Sequence, residues 1–129
     1  MKNAHVLAFD FGLKHIGVAV GQSVTRTASP LTTLAAKEGT PDWSDVGRLV
    51  AEWQPAVLVV GLPLNMDDTE SEMSLKARRF AEKMGRRFGI ATELVDERLT
   101  SFAARADRSD RPHEAAATLI AESWLTAQG

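Results

Sequence analysis

The 129-residue chain contains no cysteine. Disulfide frameworks and thiolate metal sites are therefore excluded, as a reducing cytosol would suit. No apolar run approaches the roughly 18 residues of a membrane span, and the polar start Met1-Lys2-Asn3 lacks a signal-peptide layout. A cytoplasmic location without a membrane partner is the expectation. Excess positive charge is also missing. The net charge is −2, so a nucleic-acid partner would have to be held by a local basic patch or through metal ions. No P-loop, Cys/His zinc pattern or nucleophile elbow is present. What remains is a chain of ordinary globular composition, 44% hydrophobic and 25% charged. Its length suits one domain over residues 1–129, with no repeat, low-complexity tract or linker.

The stretch from Val6 to Val20 organises the rest. An apolar run ends at Asp10, and a glycine-spaced turn leads back into a second apolar run. Alternation along a strand puts Val6, Ala8 and Asp10 on one face and Leu7, Phe9 and Phe11 on the other. The carboxylate thus ends a row that should be buried under a helix, where an isolated charge is costly. It is either a turn-initiating aspartate before Gly12 or an acid that binds metal or phosphate.

Residues 5–11 and 15–22 read as a hairpin, with a third strand over about Thr27 to Leu34. Thr40-Pro41-Asp42 opens a helix from about Trp43 to Trp53, whose apolar positions Val46, Leu49, Val50 and Trp53 recur at helical spacing. Ala56 to Gly61 has the continuous apolar character of a strand buried on both faces. A long helix over about Glu70 to Phe88 carries the stripe Met73, Ala77, Phe80, Ala81, Met84 and Phe88. Ala91 to Val95 forms the next strand. A short helix from Thr100 to about Ala106 and a last helix from Pro112 to near Ala127 complete the chain. The expected fold is α/β: a five-stranded mixed sheet, made of a three-strand antiparallel meander plus two parallel strands, flanked by helices. Ligands of such sheets gather beyond the carboxyl ends of the parallel strands. Asp10, the Gly61–Asn65 loop and Asp96-Glu97 all lie there.

Two acids converging from separate strands suit Mg²⁺ or Mn²⁺, which prefer oxygen ligands. Paired ions can activate water and stabilise the leaving oxygen in phosphodiester hydrolysis. Asp10 and Glu97 are the chosen pair, with Asp96 turned to the local backbone or Arg98. Asp96-Glu97-Arg98 also reads as an exposed charged turn. His113 shares a helical face with Ala116, Ala117, Ile120 and Trp124 and is the third candidate ligand. It reads equally as a boundary histidine. Glu114, about 100° around the helix, and Asp110 are weaker candidates, and His5 and His15 are structural or exposed. Lys14 and the backbone at Gly12 could contact phosphate, with Asn65 and Arg98 as further substrate contacts. The long helix also carries Lys76, Arg78, Arg79, Lys83, Arg86 and Arg87 away from its apolar stripe, a solvated face or a nucleic-acid contact.

Asp10-Phe11-Gly12-Leu13-Lys14-His15-Ile16-Gly17-Val18-Ala19, Val60-Gly61-Leu62-Pro63-Leu64-Asn65 and Asp96-Glu97-Arg98-Leu99-Thr100 closely resemble the YqgF/RuvX family. The resemblance covers nearly the whole chain. It implies a ribonuclease H-like fold related to the resolvase RuvC, and a cytoplasmic nuclease that uses Mg²⁺ or Mn²⁺. The implied role is maturation of the 5′ end of precursor 16S ribosomal RNA, with ribosomal particles as further partners. Asp10 and Glu97 match the family's first two catalytic acids. His113 stands where members commonly carry an aspartate, and its lower charge should weaken Mg²⁺ binding. Alternative readings are a junction-resolving DNA nuclease, which would need a homodimer rather than a monomer, and a non-catalytic nucleic-acid or ribosome-associated factor. An actin-like ATPase is a further alternative suggested by the Asp-x-Gly-x-Lys turn.

Overall fold

The computed structural model describes residues 4–63, 71–97 and 111–128. In chain order these form β1 (His5–Asp10), β2 (His15–Gln22), β3 (Thr27–Lys37), β4 (Thr40–Pro41), α1 (Trp43–Trp53), β5 (Val57–Leu62), α2 (Glu72–Phe88), β6 (Ala91–Asp96) and α3 (Pro112–Gln128). The strands lie side by side as β4-β3-β2-β1-β5-β6. Antiparallel pairing joins β1 to β2, β2 to β3 and β3 to β4, whereas β5 runs parallel to both β1 and β6. The mixed architecture agrees with expectation; the strand count does not.

The sheet has six strands rather than five. The additional one, β4, is only two residues long and folds back on Ala36 and Lys37. Glu38 and Gly39 make the reversal with φ of 51° and 84°. Two positive values in a two-residue loop are what an antiparallel hairpin with native twist requires. Glu-Gly is a weaker signal for that turn than Asn-Gly, and Thr40-Pro41-Asp42 reads first as a helix start. Asp42 does cap α1, its carboxylate accepting from the Ser44 amide at 2.9 Å. One segment therefore ends a hairpin and opens a helix. The third strand also runs on to Lys37, past Leu34.

Each sheet face is covered separately. Leu7, Phe9, Leu58 and Val60 pack with Val46 of α1 and with Ala77, Phe80, Ala81 and Met84 of α2. Val6, Ala8, Val57, Val59 and Val95 pack with Ile120, Ala121 and Leu125 of α3. All six residues of β5 are buried, as its unbroken apolar run requires of a central strand. Helix α2 begins at Ser71, whose hydroxyl accepts from the Ser74 amide at 2.9 Å and donates to the Pro63 carbonyl at 2.8 Å. The cap thereby anchors the helix to the end of β5. It ends at Gly89, where φ is 65° and the backbone turns left-handed. The short helix expected from Thr100 to Ala106 lies outside the described residues.

Candidate active site

Asp10 ends β1, and Glu97 directly follows β6. Val95 belongs to the cluster under α3 and Leu94 to the opposite one. Alternation then directs Glu97 to the α3 face, the face that Val6 and Ala8 assign to Asp10. The two carboxyl groups meet there and hydrogen-bond to each other. They bridge across β5 at Gly61, where any side chain would collide with the Glu97 carboxyl and with Ile120. A glycine is thus needed near the carboxyl end of β5 for the acid that follows β6 to reach one from β1.

Two half-buried acids this close cannot both ionise cheaply. Burial raises Asp10 to about 6, partly opposed by the hydrogen bond from Glu97. Glu97 rises to about 8, through burial first and then the charge of Asp10, with smaller contributions from their hydrogen bond and from Asp96. At neutral pH the pair holds one proton between its two carboxyls.

The first turn of α3 sits beside this pair. Gly17 is the cross-strand partner of Asp10. A side chain at Gly17 would overlap the His113 carbonyl, so its absence lets the start of α3 settle on β2. His113 is half-buried, and its ring stacks on that of His15 with centroids 5.0 Å apart and planes 19° from parallel. Among the described residues no group of three or more His, Asp or Glu side chains is arranged to hold a metal ion. Asp110 lies outside them.

Glu114, secondary to His113 from helical periodicity, is the buried acid of this turn, with 8% exposure. Its Oε2 accepts from the Thr33 hydroxyl at 3.2 Å. Its Oε1 lies 3.7 Å from Arg111, too far for a hydrogen bond, and is buried without a hydrogen-bond partner. Helix α3 spans β1, β2 and β3, so its buried face is wider than one stripe and includes Glu114, Leu119 and Leu125. Thr33, paired with Gly17 across the strands, is the sheet-side signal for Glu114. That pairing is invisible before the register is known.

Lys14 is exposed at the β1–β2 turn, and its carbonyl accepts the Ala36 amide at 2.8 Å. Gly12 is dictated by that turn, because a side chain would meet the His15 carbonyl. His5 sits edge-on to Trp53 at 5.4 Å. Asn65 and Arg98 lie outside the described residues.

With these acids at the ends of β1 and β6, residues 4–127 match a family described as "RuvX: Holliday junction resolvase". The chain belongs to the RuvX family. This is a family of nucleases, and hence of hydrolases. Two RuvX-family relatives are those of Pectobacterium carotovorum subsp. carotovorum (strain PC1) and Yersinia pseudotuberculosis serotype O:1b (strain IP 31758). They are 51% and 49% identical over 99% of both chains, and each is named "Putative pre-16S rRNA nuclease". Among solved structures, T. thermophilus RuvC in complex with Holliday junction substrate aligns with a TM-score of 0.60 at 15% identity, over 96% of this chain and 95% of that one. The fowlpox virus Holliday junction resolvase gives 0.59 at 13% identity, over 95% and 99%. These likenesses establish that the RuvX chain has the ribonuclease H-like resolvase fold.

Proposed function

We propose that this RuvX-family chain is a divalent-metal-dependent endonuclease acting on the 5′ end of precursor 16S ribosomal RNA in the cytoplasm. The observation that carries the catalytic part is the hydrogen-bonded Asp10–Glu97 pair beneath α3. The substrate comes from the names of relatives about half identical to it.

The donor set suits Mg²⁺ or Mn²⁺. It consists of carboxylate oxygens alone, converging where a shared proton now supplies the neutralising charge. Asp10 and Glu97 would hold the cation, with His113, stacked on His15 at the first turn of α3, as a proton carrier. Bound there, divalent ions activate a water and stabilise the leaving oxygen of the cleaved phosphodiester. The chain's own part begins with release of the proton shared by Asp10 and Glu97, which makes both carboxylates available as acceptors. Gly61 keeps the space between them open. Lys14, exposed at the neighbouring turn, is placed to contact a substrate phosphate. Asn65 and Arg98 belong to the same proposal by their sequence positions after β5 and β6.

The test is cleavage of a 5′-extended 16S RNA fragment with Mn²⁺ or Mg²⁺ by the parent protein and by Asp10→Asn, Glu97→Gln and His113→Ala. The acid variants should each lose about 100-fold or more, and His113→Ala about 10-fold. Cleavage persisting in both acid variants would remove the reading. The family description also favours cleavage of branched DNA, so a four-way junction is the parallel substrate. Preference for the junction would reassign the substrate and leave the chemistry in place.

A further inference from the structure

On the face of the sheet away from the carboxylates, the cations of α2 divide unevenly around the helix. Lys76, Arg79, Lys83, Arg86 and Arg87 recur at spacings of three and four and so share one side. They border two adjoining concavities, of about 210 and 300 Å³, which have Trp43 and Lys83 in common. The floor is aromatic. Phe11 and the buried Phe80 lie 5.3 Å apart, and Trp43 stacks on Phe80 at 5.8 Å with planes 20° from parallel. Among the described residues, Glu38 is the single acid lining either concavity. Arg87 lies over the Trp43 ring at 5.5 Å, and Lys76 is 3.7 Å from Glu72. The exposed Arg79, Lys83 and Arg86 have no ion-pair partner among the described residues. Such a concentration of cations on a chain of net charge −2 is local and directional.

We infer that this groove binds a single-stranded segment of nucleic acid, with bases packing against the half-buried Phe11 and Trp43 rings and phosphates along the α2 cations. The inference rests on the nuclease reading only for its link to the cleavage site. A basic groove alone would suit any polyanion, but recessed rings between cations match the alternation of base and phosphate in an unpaired strand. A duplex keeps its base faces stacked inside and offers only its backbone to such a floor. Position supports the same occupant. Phe11 lines the groove and directly follows Asp10, so the groove begins one residue from the candidate catalytic acid, on the opposite side of the β1 tip. Gly39, whose added Cβ would fall 2.6 Å from the Phe11 ring, keeps the β3–β4 hairpin close against this end. A strand emerging from the cleavage site around the end of β1 meets the aromatic floor first and the cations next.

The experiment measures binding of a labelled 20-nucleotide single-stranded RNA, and of the matching duplex, by fluorescence anisotropy across a salt series. The full chain carries Asp10→Asn to prevent cutting and is compared with and without Arg79→Glu and Lys83→Glu together. Loss of two phosphate contacts should weaken single-strand binding at least 10-fold and reduce the salt slope by about 1.4, with a smaller effect on the duplex. A chain with Trp53 and Trp124 replaced by Phe should show quenching of Trp43 by the single strand. Unchanged binding in the charge variant, or equal losses for single strand and duplex, would overturn the inference. If the parent binds the strand through these residues but cuts no nucleic acid, the groove stands and the nuclease reading fails. If it cuts while the charge variant binds normally, the reverse holds.

Discussion

At the scale of single residues, the shared proton of Asp10 and Glu97 links the site to stability. Both folded values, about 6 and about 8, lie above the ordinary carboxylate range. The native state therefore holds more protons than the unfolded chain at intermediate pH. The stabilisation is complete below about pH 4 and is lost as pH rises through 6 to 8. Without metal, the protein should lose on the order of 2 kcal/mol between pH 5 and pH 8, after allowing for solvent around a half-exposed pair. Melting curves in chelator should show the decline, and Glu97→Gln should flatten its upper part. An unchanged slope in that variant would mean that the pair does not share its proton. Glu114→Gln isolates the second buried acid: the Thr33 hydrogen bond is kept, and only the charge near Arg111 is removed. Its effect on stability should stay within about 1 kcal/mol, because the Arg111 side of the contact is largely solvent-exposed.

At the scale of elements, two glycines separate packing from chemistry. A methyl group at Gly17 would strike the backbone carbonyl of His113, which moves only if α3 moves. Gly17→Ala should therefore cost about 1–3 kcal/mol and reduce cleavage as the first turn of α3 lifts from β2. At Gly61 the obstacles are the ends of two side chains, the Glu97 carboxyl and the Ile120 methyl. Those can swing aside. Gly61→Ala should cost less stability yet reduce cleavage by an order of magnitude or more, because the carboxyl is displaced from Asp10. Thermal melts and cleavage rates of the two variants test the contrast; parallel losses of both quantities would refute it. Helix boundaries at this scale were legible from caps and punctuation. Asp42 and Pro112 mark starts that the structure places where expected, and α2 begins two residues after the expected Glu70. The β3–β4 hairpin was not, since a two-residue strand carries no period.

At the scale of the whole molecule, a bound cation should act as a stabilising ligand. It replaces the shared proton and binds the native arrangement, in which β1 and β6 bring their acids together across β5. Mn²⁺ at ten times its dissociation constant should add about 1.4 kcal/mol, a rise in melting point of about 3–6 °C. Asp10→Asn should abolish that rise while leaving the fold intact. An equal rise in the variant would place the metal elsewhere. The described residues contain no helix long and apolar enough to cross a membrane.

Local pattern alone determined the order of the five longer strands along the chain, the double-faced burial of β5, and which alternating row carries Asp10. Those properties depend on neighbours in sequence, where side-chain direction follows from periods of two and 3.6. It also marked Asp10 and Glu97 individually as acids at strand ends. Their hydrogen bond, its passage over Gly61, and the burial of Glu114 under α3 were decided by tertiary structure. Each depends on register between strands or on how a helix crosses several of them. The same holds for the groove along α2. The sequence shows a run of cations, but only the packing of α1 and the β3–β4 hairpin against them supplies the aromatic floor.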